Sequence, residues 1–121
     1  MKAPERVEGL RYLAGDDAER AAALCAAFRD PGSCAVLCAR GGYGCLRLLP
    51  QLDAAALPAP LLRTKRFVGF SDATVLHALL RARAPGLVTL HGPMPATPHF
   101  VDAPAEQQRE LREALFGGAP K

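Results

Sequence analysis

Three short stretches of this chain carry residue types that could do chemistry. The first is Gly69-Phe70-Ser71-Asp72-Ala73, a serine placed where an apolar run ends and a helical pattern begins. A serine on a sharp strand-to-helix turn needs small residues two positions to either side, because the backbone folds back on itself there. Gly69 and Ala73 meet that need. Ser71 Oγ would then stand above the edge of a sheet, with N–H groups of the first helical turn aimed at any negative charge forming beside it. The same residues also suit a plain helix start, with Ser71 or Asp72 as the cap. By themselves they leave both uses open.

The second stretch is Arg40-Gly41-Gly42-Tyr43-Gly44. Its glycines permit positive φ and let backbone approach a ligand closely. N–H groups in such a loop can cradle an anion or a tetrahedral oxyanion, although a tight turn between strand and helix would use the same residues. No Gly-Lys-Ser/Thr follows, and the Gly-x-Gly-x-x-Gly spacing is missing, so the common phosphate and dinucleotide loops are excluded. The third stretch, His91-Gly92-Pro93-Met94, offers an imidazole that can reach a site or bond to its own loop. His77 reads as structural, and His99 lies in a proline-rich loop with no assignable role.

The cysteines, Cys25, Cys34, Cys38 and Cys45, match no paired zinc-ligand spacing, and three of them lie in or beside apolar runs. They read as buried free thiols in a reducing compartment. Neither a metal nor an organic cofactor is expected.

These candidates need elements to hold them. The first dozen residues are polar and hard to place. "GDDAERAAALCAAF" predicts a helix capped by Asp16 or Asp17, with Ala21, Leu24, Cys25 and Phe28 on one face. "CAVLCA" is a short apolar run of the kind covered on both faces in a parallel sheet. "CLRLLPQLDAAAL" resumes a helical rhythm interrupted by Pro50, and "PAPLLRTK" is a connector. "RFVGF" predicts a second strand, followed by a helix over Ala73 to Ala84 that turns Val75, Leu76, Leu79 and Leu80 inward. "LVTLH" predicts a third strand, "GPMPATPHF" an irregular loop, and "AEQQRELREALF" a closing amphipathic helix. Strands alternating with helices define an α/β class, a parallel sheet with helices on both faces. Three strands make a thin sheet, so an incomplete domain from a larger protein is expected, with a sheet edge left for another strand or a second copy to cover.

At 121 residues the chain is one domain at most, and its net charge of +3 is mild and scattered. With two tyrosines and no tryptophan it does not suggest a nucleic-acid surface. No apolar stretch approaches the roughly 20 residues of a membrane span. The start, MKAPERVEGL, lacks a signal-type apolar segment.

In order and spacing, "CARGGYGCLRLLPQLD", "KRFVGFSDATVLHALL" and "LVTLHGPM" together resemble the LD-carboxypeptidase family, which includes muramoyl-tetrapeptide carboxypeptidases and microcin-immunity peptidases. The similarity runs from about Tyr12 to Met94. It implies an N-terminal α/β layer of the class I glutamine amidotransferase kind, here residues 1–121 in part, followed by a smaller C-terminal domain. It also implies a serine peptidase with Ser71 as nucleophile and an oxyanion hole from the N–H groups of Asp72 and Gly42. Arg40 and Gly41 fall at substrate-binding positions, and the substrate would be a cytoplasmic muropeptide that loses its terminal D-alanine during peptidoglycan recycling. Family members are homodimers. Their triad is completed by a glutamate and a histidine of the C-terminal domain. Here Glu106, Glu110 and Glu113 fall on a solvent face, and His91 does not correspond to that histidine. The chain alone is therefore expected to be close to inactive. Two alternatives share the pattern: an immunity peptidase acting on peptidyl-nucleotide antibiotics, and a non-catalytic α/β binding or dimerisation module.

Overall fold

The computed structural model describes residues 13–54 and 57–117, so the polar first dozen residues, Tyr12 among them, lie outside the described part. The elements run α1 (Asp17–Arg29), β1 (Ala35–Leu37), α2 (Leu49–Ala54), α3 (Ala59–Leu62), β2 (Arg66–Gly69), α4 (Thr74–Arg83), β3 (Thr89–His91), α5 (Pro98–Val101) and α6 (Ala105–Phe116). The described strands form one parallel sheet in the order β1-β2-β3. Val36 lies beside Phe67 and Leu37 beside Val68, while Phe67 lies beside Thr89 and Gly69 beside His91. The α/β class expected from the sequence is what is observed, with the thin sheet of an incomplete domain.

Burial follows from strand position. Phe67, Val68 and Gly69 of the central strand are all buried, as a parallel strand covered on both faces must be. The flanking strands are only partly covered. Side chains alternate across a sheet, so Phe67 and Gly69 point to one face and Val68 to the other. On the Phe67 face, Phe28 of α1 stacks on Phe67 with ring centroids 6.2 Å apart. Ala21, Cys25, Leu48, Leu52, Leu62, Leu76 and Leu80 complete that core. On the other face, Leu111 of α6 and Val68 both lie against Gly92, and Arg66 donates to the carbonyl of Leu115 at the end of α6.

Helix starts and stops obey local chemistry. Asp16 caps α1, accepting from Glu19 N–H at 2.7 Å, while Glu19 reaches back to Asp16 N–H at 3.0 Å. Such a reciprocal cap is worth about 1 kcal/mol. Pro50 does not interrupt a helix: it sits in the first turn of α2, where a missing N–H costs nothing. The same property of proline turns two expected loops into short helices, α3 and α5. Lys65 is buried, and its ammonium donates to Asp30 O at 2.5 Å, Ser33 O at 2.5 Å and Ser33 Oγ at 2.9 Å. It thereby ties the α1–β1 loop to the head of β2.

Candidate active site

The serine stretch forms a sharp corner at the carboxyl end of β2. Ser71 is exposed and has φ +61°, in the left-handed region that non-glycine residues seldom enter. Holding a residue there costs about 1–3 kcal/mol and persists only where surroundings over-determine it. The surroundings are visible. A β-carbon at Gly69 would stand 2.8 Å from that of Ala73, closer than real β-carbons come, and a tight 3.1 Å from Cys38 Sγ. The bend is so tight that these two positions must both be small.

Capping does not explain the serine. The helical turn Ser71–Ala73 has Phe70 as its N-cap, and α4 has Ala73; neither cap makes a side-chain hydrogen bond. Asp72 instead turns its carboxylate away from the helix, accepting from the Cys45 N–H at 2.9 Å across the site. The sequence suggested a backbone role for Asp72 and missed this use of its side chain.

That bond draws the glycine loop onto the corner. A β-carbon at Gly41 would lie 3.1 Å from Ser71 Cβ, 3.4 Å from Ser71 Oγ and 3.4 Å from Met94 Cε, so the loop backbone approaches the serine as only glycine allows. Gly42 has φ +127° and faces open space. Behind the loop, Arg20 of α1 donates to Gly44 O from both terminal nitrogens at 3.3 Å. Asp17 pairs with Arg20 at 2.7 Å and with Arg47 at 3.0 Å, and hydrogen bonds from Arg47 and then Arg20 hold its carboxyl below the usual range. The segment after β3 closes the third side: Ala96 N–H donates to Ala39 O at 2.8 Å, and Met94 is buried against Gly41. Arg20 escaped the sequence reading, and its i,i+3 spacing from Asp17 was the hint; Met94 was read only as the end of the His91 stretch.

The result is a crevice of about 470 Å³ lined by Arg20, Arg40, Gly41, Gly42, Tyr43 and Asp72, among others. Arg20 on its wall is already paired with Asp17 and with Gly44 O, and the Asp72 carboxylate lies on the same wall as Arg40. Of the expected site residues, Ser71, Asp72, Gly41, Gly42 and Arg40 therefore converge on one end of the sheet. His91 is exposed and its ring stacks on His77 at 4.3 Å. Glu106, Glu110 and Glu113 are exposed on α6, and His99 is exposed on α5.

The thiols divide by environment. Burial pushes Cys38 up to about 11. Burial, and then the hydrogen bond to the Asp72 carboxylate, push Cys45 up to about 12. Cys25 is buried, but Cys34 is exposed, against the expectation of buried thiols, because it precedes an edge strand. Among the described residues no three His, Cys, Asp or Glu side chains are grouped to hold a metal. Nor is any described helix long and apolar enough to cross a membrane.

A strand, a left-handed serine corner and a glycine loop at the carboxyl edge of a parallel sheet define an α/β domain with a candidate site at the edge where such sheets place theirs. Residues 1–92 match the LD-carboxypeptidase N-terminal domain, and the chain belongs to that family. It is 52% identical over 112 residues to a putative carboxypeptidase of Streptomyces coelicolor, covering 93% of this chain and 35% of that protein. It is 43% identical over 107 residues to the murein tetrapeptide carboxypeptidase of Pseudomonas aeruginosa, covering 84% and 32%. A probable murein peptide carboxypeptidase of Bacillus subtilis is 48% identical over 86 residues, covering 71% and 26%. The chain thus spans about a third of the length of the relatives it matches. No solved structure matches it.

Three outcomes follow from this geometry. Gly69→Ala must open the corner and should destabilise the protein by about 1–3 kcal/mol, as overpacking does; denaturant titration measures it, and an unchanged midpoint would contradict the contact-limited bend. Iodoacetamide at neutral pH should modify Cys34 well before Cys38 or Cys45 by mass spectrometry, since protonated thiols react slowly. Asp72→Asn, which keeps an acceptor but removes the charge, should speed alkylation of Cys45.

Proposed function

We propose that the protein to which this chain belongs is a serine LD-carboxypeptidase that releases the terminal D-alanine from cytoplasmic muropeptides in peptidoglycan recycling. The observation that carries the proposal is the strained, exposed Ser71 corner with the glycine-loop backbone against its hydroxyl. Backbone strain clusters where function needs it. The murein names of two relatives support the substrate class.

In the proposed reaction Ser71 Oγ attacks the carbonyl carbon of the bond to D-alanine while a histidine base takes its proton. The N–H groups of Asp72 and Gly42 receive the oxyanion, a contribution usually worth about 3–4 kcal/mol per donor. Collapse of the intermediate breaks the C–N bond, and the amine leaves with the proton. Water then hydrolyses the serine ester by the same route in reverse. Arg40, beside Gly41 on the crevice wall, meets the free carboxylate of the leaving residue. The glutamate and histidine of the triad come from a C-terminal domain. The active form is a homodimer. None of these steps calls for a metal or an organic cofactor.

A serine hydroxyl without its base is a weak nucleophile at neutral pH. Full-length protein should therefore release D-alanine from murein tetrapeptide and be labelled by a fluorophosphonate at Ser71. Ser71→Ala should abolish labelling and lower turnover by about 10⁴-fold or more. The 121-residue chain alone should show turnover near that residual level. Full turnover by Ser71→Ala protein would sink the proposal, as would unlabelled but folded wild-type protein.

A further inference from the structure

We propose that His77 is a positioning residue for Ser71: its Nε2–H holds the carbonyl of Gly69 and so fixes the backbone from which the serine corner springs. The inference rests on the hydrolase role proposed for Ser71. His77 is 3% exposed, on the helix that follows the corner. Its Nε2 lies 3.0 Å from Gly69 O, and a carbonyl can only accept, so Nε2 carries the hydrogen. Nδ1 is buried with no hydrogen-bond partner. A second proton there would be an unsatisfied buried donor, so the ring is the neutral Nε2–H tautomer.

The ring has little freedom to do anything else. Phe67 of β2 meets it edge-on at 5.0 Å, with planes at 72°. His91 of β3 stacks on its other side at 4.3 Å and 14°. Burial first, then the neighbouring His91 and Arg81, lower its pKa against the opposing pull of the Gly69 bond. These are the charged or titratable groups facing it: His91 from β3 and Arg81 from its own helix. The same Gly69 carbonyl also receives Gly92 N–H at 3.4 Å. One carbonyl thus ties together β2, the segment after β3 and the helix behind the corner. A β-carbon at Gly69 already has no room, so a small rotation of this peptide would move Phe70 and Ser71 together. A misplacement of about 1 Å can cost roughly 100-fold in rate.

The test uses full-length protein. His77→Phe keeps a ring of similar shape between Phe67 and His91 but removes the donor. His77→Gln places an amide N–H at nearly the reach of Nε2. For His77→Phe we expect kcat, and the rate of fluorophosphonate labelling at Ser71, to fall about 100-fold with KM little changed. His77→Gln should restore most of the loss. Folded His77→Phe protein labelled at the wild-type rate would overturn the proposal, as would folded His77→Gln protein no better than His77→Phe. Nitrogen-15 NMR of the wild-type imidazole gives a test that needs no variant: the Nε2–H tautomer with a hydrogen-bonded proton is expected, and an Nδ1–H ring would refute it. Failure of the hydrolase role looks different, because wild-type protein is then itself unlabelled at Ser71 and the positioning role falls with it.

Discussion

The near-contact between Gly69 and Ala73 is the constraint on which the rest of the site depends. With 2.8 Å between the Ala73 β-carbon and the place a β-carbon at Gly69 would take, the chain turns from β2 into its helix through a left-handed residue. Ser71 is that residue. Neither helix start at the bend carries a side-chain cap bond, and Ser71 is left exposed. Strain of this size is small beside the packing of the core that imposes it, in which Phe67 and Val68 are fully buried just before the corner. The fold therefore offsets a locally unfavourable backbone with contacts made three and four residues earlier.

Around the corner, charge is used to hold backbone. Asp72 anchors the glycine loop through Cys45 N–H, and Arg20 anchors it through Gly44 O. Asp17 in turn orients two arginines. Each is a hydrogen bond to or from a charged group, of the stronger kind. The loop would otherwise be free at three glycines. Burial, and then the same Asp72 carboxylate, push the neighbouring Cys45 thiol up to about 12.

Much of the fold could be read from the sequence because the signals were local. The Asp16–Glu19 cap, the apolar stripe of α1, the three apolar runs and the inward Leu76, Leu79 and Leu80 of α4 each follow from spacing of a few residues. Val75, by contrast, stays outside the core, and His77 is buried on that helix. Misreadings fell where one residue type has two uses. Proline in PAPLLRTK and GPMPATPHF signals an interruption, yet it starts helices as readily. Lys65 looks like a solvated connector residue and is buried, because three oxygens of a distant loop converge on its ammonium. Cys34 belongs to an apolar run and is nevertheless exposed at an edge.

By itself the sequence determined which residues stand at the strand ends and that those two positions flanking Ser71 are small, since both are matters of order along the chain. It left undecided whether Ser71 caps or projects, because either use satisfies the same local pattern. Tertiary structure decided that, by bringing Cys38, Gly41 and Met94 into the space around the corner. It alone also turned Asp72 towards Cys45, 27 residues away in the chain, and His77 towards Gly69. Such partners are set by how helices and loops pack on a sheet, and no spacing along one segment encodes them.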